Sequence, residues 1–227
     1  MQGLGLDNNK KINYKLVRSN RKTLALHIDI YANLIVRSPQ NLSVSKIEKY
    51  IESKSDWIIY KIKSAQSKAT HLPEYIENEK FLFLGNMYPL VFGNQEKDLL
   101  FDGNKFVLSS DDGKKSFLRW YMEEFNKIAI PRLSYYAKKY QFQYNKVRIK
   151  VQKTVWGSCS SADNINLNYL LIMAPIHVID YVIVHELCHT INKSHSKKFW
   201  SLVDNILPNY KESKSWLKEN GYRLHNL

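Results

Sequence analysis

Apolar and polar positions alternate near the start of the chain in YKLVR, TLALHIDI and NLIVRS, with short polar breaks between the runs. A period of two with β-branched residues predicts strands, and the short breaks predict a small antiparallel meander. The period then changes. Val44, Ile47, Ile51, Ile58 and Ile62 recur at helical spacing with Trp57 beside them, which predicts one amphipathic helix from Ser43 to about Lys68. Strand character returns in KFLFLG, MYPLVF and LLFDGNKFVLSS, where Asp102-Gly103 is a pair that tight hairpins use.

SSDDGKK, residues 109 to 115, combines small, acidic and glycine residues with a helix-start signature and reads as a domain boundary. The expected division is a flexible tail over 1–12, a β-rich α+β unit over 13–110 and a second domain over 111–227. A long helix from about Lys114 to Tyr140 follows, with Phe117, Trp120, Tyr121, Phe125, Ile128 and Tyr135 on its core face and Pro131 disturbing its ladder. KVRIKVQ then predicts a strand, and TVWGSCSSADNINLN two more, joined by the turn residues Ala162-Asp163-Asn164. Pro175 suits the first turn of a new helix.

The last of these helices carries the chemistry. In YVIVHELCHTINKSH, His185 and His189 stand four apart, so both imidazoles share one helical face and reach one cation about 2 Å from each. Glu186 is one residue round, where its carboxylate reaches water at the metal rather than the metal itself, as a general base must. Tyr181, Val182, Ile183, Val184 and Leu187 make the helix apolar nearly all round, so the imidazoles and the carboxylate sit at a dry interior. Such groups are costly there without a shared partner. Zinc fits, because it binds imidazole well and lowers the pKa of its water toward 7.

A third ligand completes such a site, and His195 is the first candidate, with Cys188 as a soft alternative. Six residues past His189, His195 cannot be supplied by the same straight helix. The chain must therefore turn back through Asn192-Lys193-Ser194, and Asn192 is expected at, or next to, a left-handed backbone position. His177 lies two helical turns before His185, too far along the axis to join the pair; His71 and His225 have no partners in sequence, and His27 reads as structural.

Composition narrows the class. The 44% hydrophobic and 24% charged content is that of a soluble globular protein. The N-terminus has no apolar core of secretory type, and no run approaches the roughly 18 apolar residues that span a bilayer. Two cysteines, Cys159 and Cys188, make no disulfide framework; reduced thiols in a cytoplasm are the simplest expectation, with a periplasmic location left open. The net charge of +13 comes from 27 Lys and 7 Arg against 21 acidic residues. That lysine excess fits a solubilising surface, and it also leaves open weak binding of nucleic acid or another polyanion.

From Trp156 to Trp200, and on through LPNYKESKSWLKENG, the chain resembles the YgjP-like metallopeptidase family, a group of zincins akin to SprT-like proteases. YKLVRSNRKTLALHID and FLGNMYPL are similar to that family's N-terminal half. The resemblance implies an α+β fold with a zincin-like catalytic domain over 111–227, an antiparallel sheet plus active-site helix, beside the β-rich N-terminal unit. It implies one Zn²⁺ per chain held by His185, His189 and His195, with Glu186 as catalytic base. It also implies a substrate-receiving edge strand within Lys150 to Asn168, where Trp156, Gly157 and Ser158 either line the cleft or simply pack a hairpin. One departure stands out: Val155 occupies the place where the family usually has Arg before Trp-Gly-Ser-Cys.

The leading expectation is a zinc metallopeptidase acting on a peptide or other amide bond. The alternative is a nucleic-acid-associated protein with a basic surface and a repair-linked or structural metal site; a pseudo-enzyme is disfavoured by the intact ligand set and Glu186.

Overall fold

The computed structural model describes residues 2–6, 10–29, 32–67, 72–152 and 154–225. Its backbone contacts divide the chain into two units, 1–71 and 72–227, each with its own apolar core.

The first unit is a four-stranded sheet backed by two helices. β1 (Gln2–Leu6) pairs antiparallel with β2 (Lys10–Ser19), so the expected flexible tail over 1–12 instead contributes an edge strand. β3 (Ala25–Ile28) and β4 (Leu34–Pro39) form a hairpin, closed by Asp29 accepting from the Asn33 amide at 2.8 Å. It is β4, however, that lies beside β2, in parallel, giving the order β1-β2-β4-β3 rather than a meander. Alternation fixes which face is buried but not which neighbour a strand takes. The buried face, Tyr14, Leu34 and Val36, meets Ile47 and Ile51 of α1 (Val44–Ser53) and Ile58 of α2 (Ser55–Ser67). The single helix expected over 43–68 is broken at Lys54, whose φ of −118° ends α1 and whose carbonyl accepts the Ile58 amide that starts α2.

The second unit opens with β5 (Lys80–Phe83), β6 (Asn86–Phe92), β7 (Leu99–Phe101) and β8 (Phe106–Leu108), in sheet order β5-β6-β8-β7. Asp102 caps the β7–β8 turn by accepting from the Asn104 and Lys105 amides, with Gly103 at φ +103°. Phe81, Leu90, Leu99, Phe106 and Leu108 pack into the same core as α3 (Gly113–Lys139). The boundary expected after residue 110 therefore falls inside this unit, because a sheet so short buries its apolar face only against that helix. Asp112 caps α3, which runs through Pro131 and buries Phe117, Tyr121, Phe125, Ala129, Leu133 and Ala137 at every fourth position. Tyr135, expected on the core face, is exposed.

β9 (Lys146–Lys150), β10 (Gly157–Cys159) and β11 (Asn164–Asn168) form a second sheet in the order β10-β11-β9, with β10 antiparallel and β9 parallel to β11. A 3-10 turn, Tyr169–Met173, leads to α4 (Ile176–Ile191), capped by Pro175. Arg132 of α3 clamps the buried Asp180 of α4 bidentately, at 2.5 and 2.6 Å. α5 (Lys197–Ile206) and α6 (Tyr210–Asn220) complete an α+β fold. No described helix is long and apolar enough to cross a membrane.

Candidate metal centre

α4 enters the core with Val178, Ile179, Val182, Ile183, Val184 and Leu187 buried around it. That burial leaves His185 and His189 half-buried on the one side that opens to a cleft of about 500 Å³. The helix ends at Ile191, and the chain doubles back so that His195 Nε2 lies 3.0 Å from His185 Nε2 and 3.2 Å from His189 Nε2. The expected reversal is present, but neither Asn192, with φ −124° and ψ 101°, nor a residue beside it is left-handed. Extended geometry lets its amide bond to the Cys188 carbonyl at 2.9 Å while its own carbonyl accepts from His189 Nδ1 at 3.0 Å. Accepting that bond requires the proton on Nδ1, which leaves the His189 Nε2 lone pair facing the other two rings.

Burial, then the neighbouring His189 and His195, push His185 down to about 3, so this ring is a neutral donor. Burial also lowers His189. Neutral imidazoles whose nitrogens converge cannot satisfy one another without a proton or a cation between them. Tetrahedral zinc with Zn–N bonds of 2.0–2.1 Å separates its nitrogens by about 3.3 Å, so the donor set fits that ion with small adjustments. Among the described residues this triad is the one cluster of metal-ligand type. Cys188 lies fully buried in the core, its thiol pushed up to about 12 by that burial. His177 is exposed, and His71 falls outside the described residues.

Phe199, the first buried residue of α5, touches all three imidazoles, with ring centroids 4.9, 4.5 and 4.9 Å away. Trp200 stacks on His195 at 5.5 Å and on Tyr210 at 5.4 Å, and Tyr210 stacks in turn on Tyr181, whose ring meets His185 at 5.8 Å. Ser196 caps α5 by accepting from the Phe199 amide, which fixes where that aromatic support begins. None of this was signalled by the histidine spacing, although Phe199 and Trp200 stand only a few residues beyond His195.

Glu186 is 5% exposed and lines the same cleft; burial raises its carboxyl to about 8. It lies against β10. A Cβ placed on Gly157 would come 2.6 Å from Glu186 Oε1 and 2.7 Å from its Cγ, so the strand approaches the carboxylate this closely only because residue 157 has no side chain. Trp156, Gly157 and Ser158 all line the cleft, and the half-buried Trp156 also stacks on His225 at 4.6 Å. Val155 is 42% exposed at the cleft, its carbonyl held by the buried Asn168 side chain at 3.3 Å. Tyr181, Val182 and Leu217 give the cleft an apolar wall that the sequence reading did not assign.

The family model for the YgjP-like metallopeptidase domain matches residues 22–220. Among solved structures, the crystal structure of the metallopeptidase zymogen of Pyrococcus abyssi abylysin is 24% identical, covering 43% of this chain and 93% of that one. Its TM-score of 0.32 is too low to establish a shared shape. No curated protein matches. The family match takes in the histidine cluster, Glu186, the strand beside them and much of the N-terminal unit, and on that extent the chain belongs to the YgjP-like metallopeptidase family.

Proposed function

We propose that this metallopeptidase is a zinc enzyme in which His185, His189 and His195 hold one ion and Glu186 is the general base. The convergence of three Nε2 atoms within 3.0–3.2 Å beside a buried carboxylate carries the reading. Zinc would supply Lewis acidity toward a carbonyl oxygen and toward water. Glu186 takes a proton from the attacking water and returns it to the leaving amine, which a carboxylate off the ligand face but inside the cleft can do. One side of β10 pairs with β11, and its other side has no strand partner among the described residues. An extended peptide added there would run past Glu186, which packs directly against Gly157 of that strand. Tyr181, Val182 and Leu217 exclude water from one wall of the cleft.

The test is digestion of an unbiased peptide library by the purified protein. Cleavage that stops with a chelator and returns with zinc supports the reading. Zinc-loaded protein that cleaves nothing would contradict it.

A second reading rests on charge. Residues 1–71 hold 13 Lys and Arg against 5 Asp and Glu, a net of +8, whereas 72–227 hold 21 against 16, a net of +5. Weak, sequence-indifferent binding of nucleic acid through the first unit is the expected consequence, with affinity falling steeply as salt rises. An oligonucleotide titration at low salt that shows no binding would remove it.

A further inference from the structure

Lys193 stands between the second and third histidines and lines the cleft, where a cation would ordinarily be assigned to substrate. Its contacts point elsewhere. The ammonium is ion-paired with Asp163 Oδ1, donates to the Ser160 carbonyl at 3.0 Å and reaches Cys159 Sγ at 3.9 Å. An ammonium has three donors, and here each has a partner in or beside the β10–β11 turn. None is left over for a peptide.

The two turns that Lys193 connects differ in how firmly they are held. The β10–β11 turn is fixed internally: Asp163, at φ 55°, donates its amide to Ser160 O at 3.1 Å, and its carbonyl accepts from the Asn145 amide at 2.9 Å. The turn carrying His195 has little of its own. Every residue from Lys193 to Lys198 is exposed, and the first buried side chain after it is Phe199. Asn192 and Ser196 close it with one backbone bond each, to Cys188 O and Ser194 O. Aromatic packing therefore supports His195 from the α5 side, while on the α4 side the turn is held at its start by the His189 Nδ1 bond to the Asn192 carbonyl and beyond that by the Lys193 contacts.

We propose that Lys193 is the positioning residue for His195, stapling the third-ligand turn to the β10–β11 turn so that the imidazole is held in reach of the ion before the ion arrives. The staple also joins the third ligand to the strand beside Glu186, so ligand and base keep a fixed separation. This rests on His195 being a zinc ligand, as proposed above. A ligand held in place loses less conformational freedom on binding, and loss of such outer support typically costs about 10- to 100-fold in metal affinity.

Electrostatics makes the test selective. Deleting a cation near a metal site favours zinc, so a loss of affinity in Lys193→Met opposes the charge effect and reports positioning. Zinc affinity of the full-length chain is measured by competition with a chromophoric chelator for wild type, Lys193→Met, Lys193→Arg and Asp163→Asn, together with the melting temperature of each metal-free protein. The expected result is a loss of about 10- to 100-fold for Lys193→Met; Asp163→Asn should also lose affinity, but there the removed anion weakens zinc by charge as well, so the diagnostic single variant is Lys193→Met. Lys193→Arg should keep most of the affinity, because its guanidinium can pair with Asp163. The Lys193→Met/Asp163→Asn double variant should be no weaker than the weaker single one, since both break the same staple. Metal-free melting temperatures should stay close to wild type. Unchanged or tighter zinc binding in Lys193→Met overturns the proposal while leaving the metal site standing, and a raised KM with unchanged zinc affinity would make Lys193 a substrate-binding group instead. Wild-type protein that binds no zinc would overturn both this proposal and the metal-site reading.

Discussion

Glu186→Gln is expected to leave bound zinc and folding stability nearly unchanged while turnover falls at least about a hundredfold, on the order of 3 kcal/mol of transition-state stabilisation. The substitution keeps the size of a side chain that is 5% exposed and wedged against Gly157, so packing is preserved. A neutral amide is also no harder to bury than a carboxylate. What it removes is a group able to accept a proton. Steady-state kinetics on a cleavable peptide, with metal content determined on the same samples, reads both halves. Surviving activity would assign the base to another residue, and loss of zinc would make Glu186 a ligand.

His195→Ala is expected to weaken zinc binding by more than the roughly 10- to 100-fold typical of an outer-shell partner, and as severely as His185→Ala. The reason is geometric: His195 Nε2 is the atom that closes the triangle, 3.0 Å and 3.2 Å from the other two. Cys188→Ala should leave zinc in place, because that thiol is buried in the core away from the triad. Retention of full zinc by His195→Ala together with its loss in Cys188→Ala would reverse the ligand assignment. Isothermal titration of metal-free protein separates the outcomes.

The site was legible in sequence where its chemistry is local. Four-residue spacing puts His185 and His189 on one face of any helix, and the surrounding Val and Ile residues announced that the helix would be buried. The return of His195 followed from the same geometry, since a straight helix carries it away. The conformation of the turn did not. The expectation of a left-handed position at or beside Asn192 came from helix-capping preferences, whereas the chain adopts an extended residue whose carbonyl serves His189 Nδ1.

Contacts between residues distant in sequence were the other blind spot. Lys193 meets Asp163 across 30 residues, and Gly157 matters because Glu186 lies against it, which no spacing reveals. The fold shows the same division. Strand periodicity identified β2, β3 and β4, yet the parallel pairing of β2 with β4 depends on where the β3–β4 hairpin swings. The boundary signal after residue 110 was real turn chemistry, with Asp112 capping α3. It does not separate cores, because Phe81 and Phe106 share theirs with Phe117, their rings 4.1 and 4.9 Å from it.

X-ray absorption at the zinc edge of the metal-loaded protein tests the central claim most directly, because it counts and identifies the atoms around the ion without reference to turnover. The account predicts three imidazole nitrogens at about 2.0–2.1 Å, one further light atom and no sulfur. A sulfur scatterer near about 2.3 Å, which Cys159 or Cys188 would supply, or a shell with only two imidazoles, would contradict it.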